Sequence, residues 1–301
     1  MVYFKVWRSD FVKVTIKDVA REANVAPSTV SRVLSDSPKI SEETKIKVNK
    51  AIKKLNYKPN AIARSLVNNK TKILGVVLPN EADDSFKNPF FVEAMRGMSM
   101  SAEENGYYIM YAFSKNDEDE LKTIKEFSSN NLLEGLCLLS VREEDKTIKY
   151  LKDINFPFVV IGRPDEEDVL WVDNDNFQAM FKLVDKFIKD GQSDIAFIGG
   201  KKSWNVSKDR LSGFKGAFKA NNLNYDKTIV IEGIDFSEEC GYLAMREIIS
   251  KKNPKIVVTT DDLLALGATK FLNEEGIEGV RIVGFNNTPM TKYQNPPISS
   301  I

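Results

Sequence analysis

The stretch TIKDVAREANVAPSTVSRVL, Thr15 to Leu34, decides how the rest of the chain is read. Ile16, Val19, Ala20 and Ala23 recur at helical spacing, Thr15 stands before them as an N-cap, and Asp18 follows three residues later, as in a capping box. Asn24 tolerates the left-handed backbone that a tight turn demands. Pro27 is allowed in the first turn of a second helix, which continues through Val30, Val33 and Leu34. Two such short helices need a third to cover their apolar faces, and Ser41 to Leu55 supplies it. Ser41 caps it, Glu42 and Glu43 complement the helix dipole, and Val48, Ala51, Ile52 and Leu55 repeat on one face. Lys45, Lys47, Lys50, Lys53 and Lys54 take the other face. Two helices joined by three residues and braced by a third predict a helix-turn-helix over residues 14–59.

Outward from this head, Asn60 to Val67 forms one more helical pattern, too short at about eight residues to hold by itself in water. Residues 60–72 therefore read as a hinge and linker, and residues 1–13 as an extension outside the pattern. The chain balances 43 Lys and Arg against 43 Asp and Glu. That zero hides a split, since residues 1–70 hold 15 basic against 6 acidic side chains and the remainder 28 against 37. A basic head on an acidic body suits a polyanion as the partner of the head.

From Ile73 onward, β-branched and aromatic runs alternate with amphipathic stretches, the pattern of an α/β fold with parallel sheets. Strands are expected at Ile73 to Leu78, Tyr107 to Ala112, Gly135 to Leu139, Phe158 to Ile161, Ile195 to Ile198, Thr228 to Ile231, Ile256 to Thr259 and Val280 to Val283. Helices are expected near 90–105, 117–130, 174–190, 207–221, 238–251 and 262–275. Eight strands exceed one comfortable doubly wound domain, and the polar stretch from Arg163 to Asn176 breaks the rhythm. Residues 73–301 thus read as two α/β lobes with a cleft between them. A ligand belongs at the carboxyl ends of the strands, in the turns after Leu78, Ile161, Ile198, Thr259 and Val283.

Composition removes several chemistries. With no histidine, a Ser-His-Asp triad, a Cys-His dyad and an imidazole-bound metal are excluded. Cys137 and Cys240 are too few for a disulfide framework or a four-thiolate metal site, and read as small buried hydrophobes. Apolar runs of six to eight residues fall short of the ~20 that span a bilayer. No basic leader with an apolar stretch and cleavage site opens the chain, so a soluble, cytoplasmic protein without a membrane partner is expected. There is no G-x-S-x-G, Walker loop or G-x-G-x-x-G, and Asp261 and Asp262, adjacent at a helix start, diverge. No enzyme, cofactor or metal site is expected.

The run Thr15 to Leu34, followed by SEETKIKVNKAIKKLNYKPNAIARSL (Ser41 to Leu66), resembles the head and hinge of the LacI/GalR family of bacterial transcription regulators. NPFF (Asn88 to Phe91), RLSGF (Arg210 to Phe214), DDLLALGA (Asp261 to Ala268), IVGFNN (Ile282 to Asn287) and PPISSI (Pro296 to Ile301) follow in that family's order, so the likeness runs from about Val14 to Ile301. The resemblance implies a helix-turn-helix head on a two-lobed body like that of periplasmic binding proteins. It implies a homodimer that represses a sugar-utilisation operon and leaves double-stranded operator DNA when a small sugar, maltose among the candidates, binds between the lobes. Pro27, Ser28, Thr29 and Arg32 would face the major groove, with Arg32 suited to a bidentate contact with guanine. Thr15, Ser31 and Asn60 would meet phosphates. Leu66 and its dimer mate would wedge into the minor groove. In the cleft, Phe90, Phe91 and Phe236 would stack on a sugar face, while Arg163, Arg210, Asp261 and Asn286 would bind hydroxyls. Asp173 and Trp204 are further candidates.

The chain departs from the family pattern at four places. Residues 1–13 have no counterpart. Asn24 stands where Gly is usual, and Asp261 and Asn286 stand where sugar-binding members often carry Asn and Asp. Family chains normally continue some thirty to forty residues past the motif ending at Ile301, which makes a C-terminal truncation the expectation. Two other readings compete with a sugar-released repressor. One is a two-lobed sugar-binding or sugar-processing protein with an unrelated basic head, and the other a regulator that needs a purine-type corepressor.

Overall fold

The computed structural model describes residues 14–58, 70–78, 88–114 and 116–301. The extension 1–13, the hinge pattern Asn60 to Val67 and, with it, Asn60 and Leu66 lie outside the described residues. The chain divides into two units, Met1–Thr71 and Lys72–Ile301.

In the first unit, α1 (Ile16–Ala23), α2 (Pro27–Leu34) and α3 (Glu42–Lys54) close around Val19, Ala20, Val30, Val33, Val48 and Ala51. Each helix is too short to persist alone, so this shared apolar face is what holds all three. Asn24 ends α1 with φ 52°, the left-handed conformation a branched residue would resist. The Asp18 carboxylate accepts from the Thr15 backbone N–H at 2.9 Å and from its hydroxyl at 2.7 Å, fixing the start of α1.

The second unit contains two five-stranded parallel sheets. The first lobe runs β1 (Ile73–Leu78), α4 (Pro89–Glu104), β2 (Tyr108–Phe113), α5 (Asp117–Ser129), β3 (Gly135–Leu138), α6 (Lys146–Asp153), β4 (Phe158–Ile161) and β5 (Trp171–Val172). Its strands lie in the order β2-β1-β3-β4-β5. The second lobe runs α7 (Asn176–Lys189), β6 (Ile195–Gly199), α8 (Asn205–Ala220), β7 (Val230–Glu232), α9 (Glu238–Lys251), β8 (Ile256–Thr259), α10 (Asp262–Glu274), β9 (Arg281–Gly284), α11 (Pro289–Lys292) and β10 (Ser299–Ser300). Its order is β10-β9-β8-β6-β7. Strands such as Ile195–Gly199 are buried along their whole length because helices cover both faces of the sheet. Among the described residues no helix is long and apolar enough to cross a membrane.

Each sheet reverses its winding beside its first strand, β1 against β3 in one lobe and β6 against β8 in the other. Loops diverge at such a point and leave room for a ligand at the carboxyl ends. The eight expected strands are present within two residues at either end, and the six expected helices match equally well. Five elements were not expected, one of them a 3-10 turn, Lys227–Ile229, at the expected start of β7. Helix α6 carries its apolar side chains only at Ile148, Tyr150 and Leu151, strands β5 and β10 are two residues each, and α11 is a single turn. The strands and the turns are too short to show a period, and α6 has too few apolar positions to stand out.

Candidate functional site

On the head, α2 presents Pro27, Ser28 and Arg32 exposed, with Thr29 and Ser31 half-buried. No described residue ties down the Arg32 guanidinium, so its five donors stay available to a base edge or a phosphate. Thr15 is exposed, but its hydroxyl proton is held by Asp18, so donating to a phosphate requires that bond to open. The lysine face of α3 is partly neutralised. Lys45 pairs with Asp36 at 2.9 Å and Glu42 at 3.1 Å, Lys47 with Glu43 at 2.7 Å, and Lys54 with Glu22 at 2.7 Å. Exposed pairs like these contribute little stability and readily exchange partners.

In the body, a cleft of about 610 Å3, counting its open mouth, lies at the carboxyl ends of both sheets. Its apolar walls bring Phe90 and Phe91 from α4 opposite Trp204 and Phe236. Phe91 is also core, 7% exposed, and meets Phe90 edge-on at 5.4 Å. Trp204 lies 5.3 Å from Phe236, and its indole N–H is buried without a hydrogen-bond partner among the described residues. A buried donor left unpaired is costly unless something satisfies it.

The polar floor is a connected network. Arg210, on α8, is 5% exposed and lies over the Phe285 ring at 3.5 Å. Its Nε donates to Asn176 at 2.9 Å, its Nη1 to the Thr260 carbonyl and its Nη2 to Asn286 at 3.4 Å. Burial pulls its pKa down to about 10. Asp261 caps α10, its Oδ1 accepting the Leu263 N–H at 2.7 Å. Its Oδ2 accepts from Asn286 at 2.9 Å and, across the cleft, from Asn88 at 3.2 Å. Burial pushes the Asp261 carboxyl up to about 7, against the pull of the Leu263 N–H, Asn88 and Arg210. Asn286 reaches both partners from a backbone at φ 94°, a conformation that costs free energy outside glycine. Its neighbour Asp262 turns away, accepting from the Thr288 N–H at 2.7 Å and the Ser300 hydroxyl at 2.6 Å. The two adjacent carboxylates thus diverge as expected.

Six of the seven expected cleft residues, Phe90, Phe91, Arg210, Phe236, Asp261 and Asn286, line the cavity, as do the further candidates Asp173 and Trp204. Arg163 does not. Its guanidinium is exposed on the rim and gripped by Asp209 through Nε at 3.2 Å and Nη2 at 2.7 Å. The sequence placed Arg163 at a strand end but gave no sign that a carboxylate from α8 would meet it. Asn88 and Asn176 were missed. Asn88 carried a signal, since an Asn before Pro-Phe at a helix start is an N-cap, and its Oδ1 does accept the Phe90 N–H at 3.0 Å.

The lobes also touch along the start of α8. Arg142 and Trp204 form an antiparallel bridge, Asn205 donates to the Arg163 carbonyl at 3.0 Å, and Lys208 pairs with Glu143 at 2.5 Å.

Comparison with known proteins agrees with this architecture. Residues 15–60 match the family model described as bacterial regulatory proteins, lacI family, and residues 71–293 match periplasmic binding proteins and sugar binding domain of LacI family. The HTH-type transcriptional regulator MalR of Streptococcus pneumoniae is 41% identical over 276 residues, 91% of this chain and 84% of that protein. The solved structure of a transcriptional regulator CelR–cellobiose complex is 29% identical, with TM-score 0.72 over 96% of this chain and 87% of that one. The lac repressor dimer bound to operator shares the fold, with TM-score 0.82 at 21% identity over the same shares of the two chains.

Proposed function

The chain belongs to the lacI family of bacterial regulatory proteins, and from that membership we propose that it is a dimeric repressor of a sugar-utilisation operon, released from its operator by maltose. What carries this reading is the union in one chain of a helix-turn-helix whose Arg32 no described residue engages and a cleft that sets aromatic walls over a hydrogen-bonding floor. Aromatic faces suit the apolar side of a sugar ring, and a floor rich in amide and guanidinium donors suits its hydroxyls. The MalR relative supports maltose, and the structure named as a CelR–cellobiose complex supports a disaccharide. Named as transcriptional regulators, these relatives favour regulation over catalysis.

Pro27, Ser28, Thr29 and Arg32 take the base-reading role, while Thr15, Ser31, Asn60 and Leu66 hold and bend the duplex. Phe90, Phe91, Trp204 and Phe236 stack on the sugar, with Arg210, Asp261 and Asn286 below it. Arg163 acts in closing the rim. A second copy of the chain fits the exposed apolar residues Val92 and Met100 of α4, Tyr108 and Phe113 of β2, and Leu243 of α9.

Selection of bound fragments from a random duplex library, followed by titration of the enriched sequence with maltose, tests this function. A palindromic site that the protein leaves as maltose rises is the expected result. Failure to enrich any site would remove the repressor, and tighter binding with maltose would make the sugar a corepressor.

A further inference from the structure

The contact between the lobes at the start of α8 is built on backbone. Between β3 and α6 the chain runs through residues 139–145, and the middle of that loop pairs with residues 203–205 of the second lobe. Arg142 stands opposite Trp204 in an antiparallel bridge, the Glu143 N–H donating to the Ser203 carbonyl at 3.3 Å and the Asn205 N–H to the Val141 carbonyl at 3.2 Å. Val141 and Trp204 line the cavity, whereas Arg142 does not. Helix α8 begins at this bridge with no side-chain cap among the described residues, so the bridge supplies the anchor that a cap would give.

A buried ion pair holds the first-lobe side of the bridge. The Arg142 guanidinium donates to both oxygens of Glu120, near the start of α5, at 3.1 and 2.7 Å, and its Nη1 lies 3.9 Å from the Asp145 carboxylate. The side chains of Arg142, Glu120 and Asp145 are 10%, 6% and 3% exposed. Asp145 caps α6 through the Thr147 and Ile148 N–H groups and also accepts the Arg142 N–H at 3.3 Å. A forked pair fixes direction as well as distance. Out of water it does not exchange partners as the exposed Lys208–Glu143 pair beside it does.

We propose that Arg142 is a positioning residue for the effector cleft: its pair with Glu120 holds residues 141–143 as a clasp on the second lobe, and the clasp sets where Trp204 stands and how readily the lobes part. The link to the effector rests on the cleft being the effector site, whereas the clasp does not. A loop held to its neighbour by two backbone bonds opens easily unless something else fixes it. Here one residue joins both halves, its backbone in the bridge and its side chain in the first lobe, so freeing the side chain frees the bridge. A single opening then releases the Glu143 and Asn205 amides together. A ligand enclosed in the cleft leaves no faster than the lobes open, and a looser clasp releases it sooner.

Hydrogen exchange read residue by residue, by NMR on the full chain, tests the clasp without a ligand. In the wild type the Glu143 and Asn205 amides should be protected equally, within about tenfold, because one opening exposes both. Glu120→Gln keeps an oxygen for Arg142 and leaves Asp145 to balance its charge. It and Arg142→Ala should each speed exchange at both amides about tenfold or more, Arg142→Lys should recover part of that loss, and β1 and β6 should be unmoved. A purely structural loss of stability would speed those strands as well. With Trp7→Phe and Trp171→Phe in the background, Trp204 emission should shift to longer wavelength in Arg142→Ala, and maltose should dissociate about tenfold faster in stopped flow. Wild-type protections further apart than this, or Asn205 exchange that neither substitution moves, overturns the clasp. Unmoved emission or an unchanged dissociation rate overturns the positioning role. If circular dichroism shows both variants unfolded, the wild-type comparison decides. Absence of maltose binding in the wild type removes maltose as the effector, and exchange and emission then decide the proposal alone.

Discussion

Arg32 and Asp261 are the two side chains whose chemistry the fold leaves most consequential. Arg32 has no described partner, so its loss should cost DNA affinity and little stability. Arg32→Ala should weaken operator binding by ~1–3 kcal/mol and relax the preference at one base pair. Equal weakening on operator and random DNA, read by fluorescence anisotropy, would reassign it to phosphate. Asp261 is the opposite case, a carboxyl that burial holds at about 7. Between its ordinary 3.8 and that value the folded protein binds the proton and the unfolded chain does not. Its contribution to stability is therefore full below about pH 4 and lost as pH rises through 7. Thermal melts from pH 4 to pH 8 should show wild type losing stability relative to Asp261→Asn, and parallel curves would contradict a raised pKa. In the sequence, Arg210, Asp261 and Asn286 were legible by the motifs around them, and all three line the cavity. Asn88 was less so, because its role depends on a partner 173 positions away.

At the scale of elements, periodicity served where it had length to act. α9 and α10 were located within a residue at each end, and their contact is set by two glycines. A Cβ on Gly267 would run into the Glu238 carbonyl, and one on Gly241 into the Leu264 backbone. The helices cross with their backbones nearly touching, and an added methyl must push them apart. Gly267→Ala should lower stability by ~1–3 kcal/mol in urea unfolding despite its better helix propensity, whereas a gain would mean the crossing has slack. The elements missed from sequence obey other rules. β5 is an edge strand with both residues exposed, and β10 pairs only with β9, so neighbours decide them instead of internal pattern.

Across the whole molecule, regulation requires that sugar and DNA favour different arrangements. If maltose loosens operator binding by a coupling of ~1–3 kcal/mol, saturating operator must weaken maltose by the same factor. Calorimetry with and without operator checks this, and maltose bound as tightly by the operator complex as by the free protein would remove the coupling. The rim pairs Arg163–Asp209 and Lys208–Glu143 are partly exposed, so salt screens them. Raising salt from 50 to 500 mM should weaken maltose about two- to fivefold, and Arg163→Ala should flatten that dependence. Two lobes and a basic head could be read from alternation and charge, but not the rim, because nothing local says which loops of separate lobes will meet. The placing of Trp204 has a practical outcome. The chain has three tryptophans, and of the two described, Trp204 lines the cavity while Trp171 stands half-exposed on an edge strand. An indole whose N–H gains a partner shifts its emission, so the cleft can be followed in its own light, with Trp171→Phe to quiet the background and no dye attached.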